Sequence, residues 1–251
     1  YAKYYVIQRI LLIGFAFALY FVIGPIGVVL GYAFSFMPFV IKRYKSYRIS
    51  KKEFSLLKEK IPFMRDSYGH SILSVFGTYA DKLIVGPLFG FTFLGNYQLA
   101  FQILMILTMI SGIVFTYLLP QEASGKPHRK LWLITILIII VSSILTIVLA
   151  PSVLPILMPK YVPAIDLIQI MSIAAVSMTI TLRYTSKFLG NEKSKIVIIG
   201  KAVYLSSHII GIFSIGTIFG IQGVAISFVI ASSIEAIYFV TVNRILDNKN
   251  K

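Results

Sequence analysis

Cysteine is absent from the 251 residues, so neither a disulfide framework nor a thiolate metal site can form. Acidic side chains are scarce, with nine Asp and Glu against 24 Lys and Arg, a formal net charge of +15. Charged residues total 13%, about half the share usual in soluble domains. That shortage excludes a disordered chain or a coiled coil, both of which need abundant charge. No Gly-x-x-x-x-Gly-Lys-[Ser/Thr] run occurs, so this chain carries no nucleotide-driven pump. No His-Glu-x-x-His occurs, and the three histidines are scattered. The loops hold few carboxylates. A membrane glycosyltransferase or ligase needs a loop carrying acid/base or metal-binding carboxylates, so the chain is read as a non-enzyme that uses no cofactor and no metal. No Asn-x-[Ser/Thr] acceptor and no signal-peptide pattern is present.

What the sequence has in excess is apolar length. Hydrophobic residues reach 57% and mean hydropathy is +0.85. A bilayer span needs about 20 apolar residues. Apolar runs and their breaks predict eight helices, near residues 4–22, 25–41, 62–89, 93–119, 131–150, 164–188, 195–218 and 222–245. The expected class is an all-α polytopic membrane protein. Pro120, Pro127, Pro151, Pro155, Pro159 and Pro163 fall at the junctions, where helices are expected to stop. Gly24-Pro25, the stretch 87–93 and Gly220–Gly223 read as tight outer hairpins. Gly27/Gly31, Gly86/Gly90 and Gly216/Gly220 have the spacing of close helix packing. Tyr4, Tyr5, Tyr44 and Tyr47 suit an interfacial aromatic belt.

Charge placement tests the count. The loops 42–60, 121–130 and 183–195 and the tail 244–251 hold eighteen of the 24 basic residues, whereas the alternate loops hold only Lys160. Basic and neutral loops alternate, as eight spans with both ends cytoplasmic require. The net charge is thus explained without nucleic acid, and loop 42–60 reads as contacting anionic lipid headgroups. That loop divides the chain into residues 1–41, two helices closing one bundle, and residues 61–246, a complete six-helix bundle, with a cytoplasmic tail at 247–251. The first residue is Tyr1 rather than Met, so an amino-terminal truncation is expected.

A charge at mid-membrane costs about 2.5–3.5 kcal/mol on insertion scales, so each one needs a partner, a wet cavity or a short reach to the interface. In the third helix Asp66, His70, Ser74, Thr78 and Asp81 recur every three or four residues. This polar stripe is expected to face protein or water. Two readings stand for each ionisable residue. Asp81-Lys82 is an outer-interface pair or part of a cavity wall. Arg9, Arg65 and Lys201 snorkel to headgroups or hold an anion. His208 is a bundle residue or a proton relay. Glu235 pairs with a nearby cation or binds a coupling ion. Arg9, Arg65, Lys82, Arg183 and Lys201 form the pool for anion contacts, and Asp66, His70, Asp81 and Glu235 the pool for ion coupling.

Four stretches resemble one family, the polysaccharide-export flippases of O-antigen type, in the multidrug/oligosaccharidyl-lipid/polysaccharide exporter superfamily. They are ADKLIVGPLFGFTFLGNYQLAFQI, with Asp81, Gly86, Gly95, Tyr97 and Ala100 on the family pattern, then LAPSVLPILMPKYVPAIDLIQIMSI, FLGNEKSKIVIIGK and IFGIQGVAISF. The second stretch departs from the pattern at Met158-Pro159, where the family usually has Gly. The resemblance implies two six-helix lobes around a central cavity. This chain would supply the last two helices of one lobe and all of the other, in a cytoplasmic membrane. It implies alternating access that moves a polyprenyl-diphosphate-linked glycan outward, with membrane lipids and glycan-assembly enzymes as partners. A drug or cation antiporter of the same superfamily and a non-transporting scaffold subunit are the rival readings.

Overall fold

A computed structural model describes residues 2–40, 61–124 and 129–249, and among these there is no β-strand. The basic loop 42–60 and His128 lie outside the described residues, as do the side chains of Asp66, Ser67, His70 and Ser74. The helices are α1 (Ala2–Ile23), α2 (Pro25–Ser35), α3 (Ile61–Phe89), α4 (Phe91–Ala123), α5 (Arg129–Leu157), α6 (Ile165–Gly190), α7 (Ser194–Gly211) and α8 (Thr217–Lys249). A 3₁₀ segment, Pro159–Ala164, links α5 to α6, and a π segment, Ile212–Gly216, links α7 to α8. Among the described residues, six stretches are long and apolar enough to cross a membrane, and Pro25–Val40 is a shorter apolar helix. The protein is therefore all-α, with several helices of membrane-spanning length.

The chain divides into two compact units, Tyr1–Ile61 and Pro62–Lys251. The described part of the first, residues 2–40, is a helical hairpin. Gly24 takes a φ of 69° and Pro25 opens α2, a position where its missing N–H costs nothing. A Cβ on Gly27 would lie 2.1 Å from the Leu19 carbonyl oxygen, so only glycine lets α2 approach α1 this closely. Gln8 donates a 3.0 Å hydrogen bond to Ser35, which donates in turn to the Tyr32 carbonyl. The second helix, expected over 25–41, is helical through Val40 apart from one turn at Phe36, whose N–H bonds back to the Ala33 carbonyl.

In the second unit α6 is central and packs against α4, α5 and α8. Its small residues Ala174 and Ala175, with Leu167, Ile168 and Met171, are buried against Tyr97, Phe101 and Leu104 of α4 and Phe228 of α8. Hydroxyl pairs join the same helices, Ser111 to Thr179 at 2.8 Å and Ser177 to Ser233 at 3.0 Å. Such bonds matter in lipid because no water competes for the groups. Large apolar side chains such as Ile134, Leu137, Val141 and Ile144 of α5 face outward.

Residues 194–248 form one 55-residue apolar run. At 1.5 Å per residue this is about 80 Å, against a hydrocarbon core of about 30 Å, so it has to reverse. It does so at Gly220, where φ is 62° and ψ is −143°. Across the turn Gly211 meets Ser227 and Gly200 meets Phe239, which makes α7 and α8 antiparallel. Gly90 and Gly220 are thus turn residues with positive φ. The packing role expected for them falls instead to Gly86 and Gly216, which meet Leu94 and Val224.

The prolines behave differently from expectation. Pro120, Pro151 and Pro155 lie inside helices rather than ending them. Proline at a helix interior strips a hydrogen bond from the carbonyl four residues earlier. For Pro151 that carbonyl belongs to Ile147, and Gln169 of α6 donates to it at 2.8 Å. The neighbouring helix supplies the donor that proline removes. Replacing Gln169 by Leu leaves that carbonyl without this donor and is expected to lower stability by about 1 kcal/mol. Thermal unfolding of the purified protein in detergent measures the loss, and Ser152→Ala serves as the nearby surface control.

Candidate functional site

The α3 face that turns inward carries Gly77, Asp81 and Val85, spaced four residues apart. Gly77 lies beside the Tyr204 ring and Gly69 beside Ile198, where an added methyl would make ordinary contact, and Asp81 lies beside His208. The Asp81 carboxylate is sealed from solvent and accepts from three donors. Lys82 reaches Oδ1 with its backbone N–H at 2.8 Å and with Nζ at 3.2 Å. Tyr97 Oη donates to Oδ2 at 2.6 Å. His208 Nε2 stands 3.9 Å from Oδ2, beyond hydrogen-bond reach. The Lys82 ammonium also donates to the Thr78 carbonyl and sits 3.7 Å from the centre of the Phe101 ring. A desolvated cation on an aromatic face is attracted by the ring quadrupole, and contributes about 2 kcal/mol in that setting.

A second pair lies along α7. Lys201 Nζ is 2.9 Å from Glu235 Oε1 and 3.3 Å from Oε2, and only the longer contact is aligned as a hydrogen bond. The ammonium also faces the Tyr204 ring, 5.3 Å from its centre. Lys201, Tyr204 and His208 fall at i, i+3 and i+7, one face of α7. That face therefore carries a line of polar groups between the two carboxylates, Glu235 at one end and Asp81 at the other. Phe228 of α8 closes it, edge-on to both Tyr204 and His208.

Both pairs share an order. Side-chain exposure is 13% for Lys82 against 0% for Asp81, and 22% for Lys201 against 4% for Glu235. In each pair the lysine side chain is the more exposed member and the carboxylate the more buried one.

Of the nine candidate residues, the structure places Lys82, Lys201, Asp81 and Glu235 in these two pairs. Asp81 is paired with Lys82, and Lys201 with Glu235. Arg9 is exposed on α1 in the first unit, and Arg65 is exposed on α3, about 24 Å along the helix from Asp81. Arg183 is half-buried, with its guanidinium 5.5 Å from the Tyr184 ring centre. Asp66 and His70 stay outside the described side chains. Sequence reasoning missed Tyr204, Ser227 and Phe101. The Lys-x-x-Tyr-x-x-x-His spacing of α7 was the signal that could have found Tyr204.

Removing one partner of a buried pair leaves an uncompensated charge and costs about 3–5 kcal/mol, whereas removing both is close to neutral. Lys201→Met is accordingly expected to destabilise the protein strongly, and Glu235→Gln added to it is expected to restore most of the loss. Thermal unfolding of the single and double variants in one detergent measures the coupling. No family model, no curated protein and no solved structure matches this chain.

Proposed function

We propose that the chain acts in a flippase that moves a polyprenyl-diphosphate-linked oligosaccharide across the cytoplasmic membrane. The observation that carries this reading is the order of the two ion pairs, lysine outside and carboxylate inside. Ionisable groups within apolar helices are costly and mark functional sites by default. A lysine as the more exposed member of its pair suits an anionic headgroup such as a diphosphate. Counting α2 and the two arms of the α7–α8 hairpin separately gives eight crossings, two in the first unit and six in the second. On this reading two lobes rock around a central cavity, the lysines hold the phosphates, and the prenyl tail stays in lipid. Within the second unit, Arg65 and Arg183 are further candidates for anion contacts. Arginine suits phosphate because its donors form a planar fork.

A drug or cation antiporter of the same superfamily would present its carboxylates to the cavity, and here Asp81 and Glu235 lie behind lysines. A scaffold subunit has no need of two buried ion pairs in lipid, where apolar packing is at least as stable.

Losing a charge-assisted contact costs about 1.5–3 kcal/mol, which corresponds to about tenfold or more in rate. The variant that isolates function from folding is Asp81→Asn with Lys82→Gln, which removes the pair without stranding one charge. In-cell glycan export by the full-length protein is expected to fall about tenfold or more at normal protein levels. Wild-type export would remove the pair from the mechanism.

A further inference from the structure

The outward side of α5 is not smooth. Leu145, Leu149 and Val153 recur every four residues and stand exposed. Beside them runs a lower row, Thr146, Ala150 and Leu154, which is half-buried or buried. Ile103 of α4 and Ile168 of α6 complete a groove of about 240 Å³ along this step. An apolar cavity of about 150 Å³ takes a benzene ring, so this groove takes a longer piece of hydrocarbon. Thr146 is the one polar side chain among the lining residues, and its hydroxyl donates to the Ser142 carbonyl at 2.9 Å. The nearby Ile147 carbonyl, freed by Pro151, is met by Gln169. A groove whose hydroxyl is already spent suits hydrocarbon rather than a sugar.

Length and charge narrow the occupant. From Leu145 to Leu154 the groove runs about 14 Å along α5. One leaflet is half of a hydrocarbon core of about 30 Å, so the two lengths match. The groove lies in the half of α5 that ends at Leu157, and the chain passes from there into the Pro159–Ala164 segment. That segment contacts α4, α5 and α6, the three helices that form the groove. It carries Lys160, which is exposed and is the one basic residue of the loops 87–93, 151–163 and 220–223. Asp166 stands at the same end, but it accepts from Gln222 of α8 at 2.9 Å and so is directed to that helix. An ammonium above a dry, leaflet-long groove matches an anionic headgroup above an acyl chain. The ion pairs are elsewhere. Phe101, which meets Lys82, and Ile103 are two positions apart on α4, about 200° around the helix. The groove and the Lys82 pair therefore use opposite faces of α4.

We propose that this groove binds an anionic phospholipid of the leaflet on the Lys160 side, with one acyl chain along the step in α5 and the phosphate at Lys160. The occupant is a membrane lipid that completes the packing of α5 on α4 and α6. It is not the transported lipid, because the groove faces away from the Lys82 pair. The inference stands without the flippase reading. Burial of the chain supplies the affinity, and Lys160 supplies a preference of about fivefold for anionic over zwitterionic headgroups.

The test is native mass spectrometry of the full chain in detergent, titrated with phosphatidylglycerol or with phosphatidylcholine. Wild type is expected to reach half-occupancy at about fivefold less phosphatidylglycerol than phosphatidylcholine. Ala150→Phe fills the groove and is expected to weaken binding of both lipids about tenfold or more. Leu149→Trp covers the opening from an exposed position, is expected to act in the same direction, and serves if Ala150→Phe fails to fold. Lys160→Ala is expected to keep binding but to make the two lipids equal. Unchanged phosphatidylglycerol binding in whichever groove variant folds would overturn the site. A preference for phosphatidylglycerol that survives in Lys160→Ala would overturn the headgroup assignment. A polyprenyl phosphate added at equal concentration is expected to leave phosphatidylglycerol bound. Its displacing phosphatidylglycerol from wild type would make the groove a tail site for the transported lipid and overturn the proposed occupant.

Discussion

Hydrocarbon offers a polar group no substitute partner. A carboxylate that would be solvated in water has to be met by protein donors in the membrane, or it is not built there. Asp81 and Glu235 both sit in this position, and much of the second unit is arranged around them. Tyr97 sits at the start of α4, just past the Gly90 turn, where its hydroxyl reaches back to α3. The reversal at Gly220 returns α8 beside α7, which sets Ser227 against His208 and Glu235 against Lys201. The same rule explains a bond remote from the cluster, where Gln169 serves the carbonyl that Pro151 strips.

The pairing is asymmetric in a useful way. A carboxylate is short and stays where the helix puts it. Lysine is long and flexible, so it covers the carboxylate from outside and keeps its ammonium at the edge.

The class of the protein was legible from composition, because length in apolar runs and scarcity of charge are properties of the whole chain. Helix positions were legible where glycine or a basic loop interrupted the runs. They were misjudged at the prolines, because a proline ends a helix only when nothing else serves the freed carbonyl, and Gln169 lies 22 residues from that carbonyl. The spacing on α3 marked Asp81 as facing inward, and its neighbour Lys82 was visible by adjacency. The link from Lys201 to Glu235 spans 34 residues across a hairpin. One-helix periodicity cannot reveal such a partner. Tyr97 was seen as part of a family-like block, but its hydroxyl bond to Asp81 depended on the turn at Gly90 bringing α4 back against α3.

The central proposal is that the lysines of both pairs are reached from water more readily than the carboxylates beside them. The natural absence of cysteine makes the chain its own background for single-cysteine labelling. The direct measurement is the rate at which a negatively charged, water-soluble thiol reagent modifies Cys placed at positions 81, 82, 201 and 235 in native membranes. The account predicts rapid labelling at 82 and 201 and slow labelling at 81 and 235. Labelling of 82 and 201 by a lipid-soluble reagent alone would put the lysines against acyl chains and contradict it.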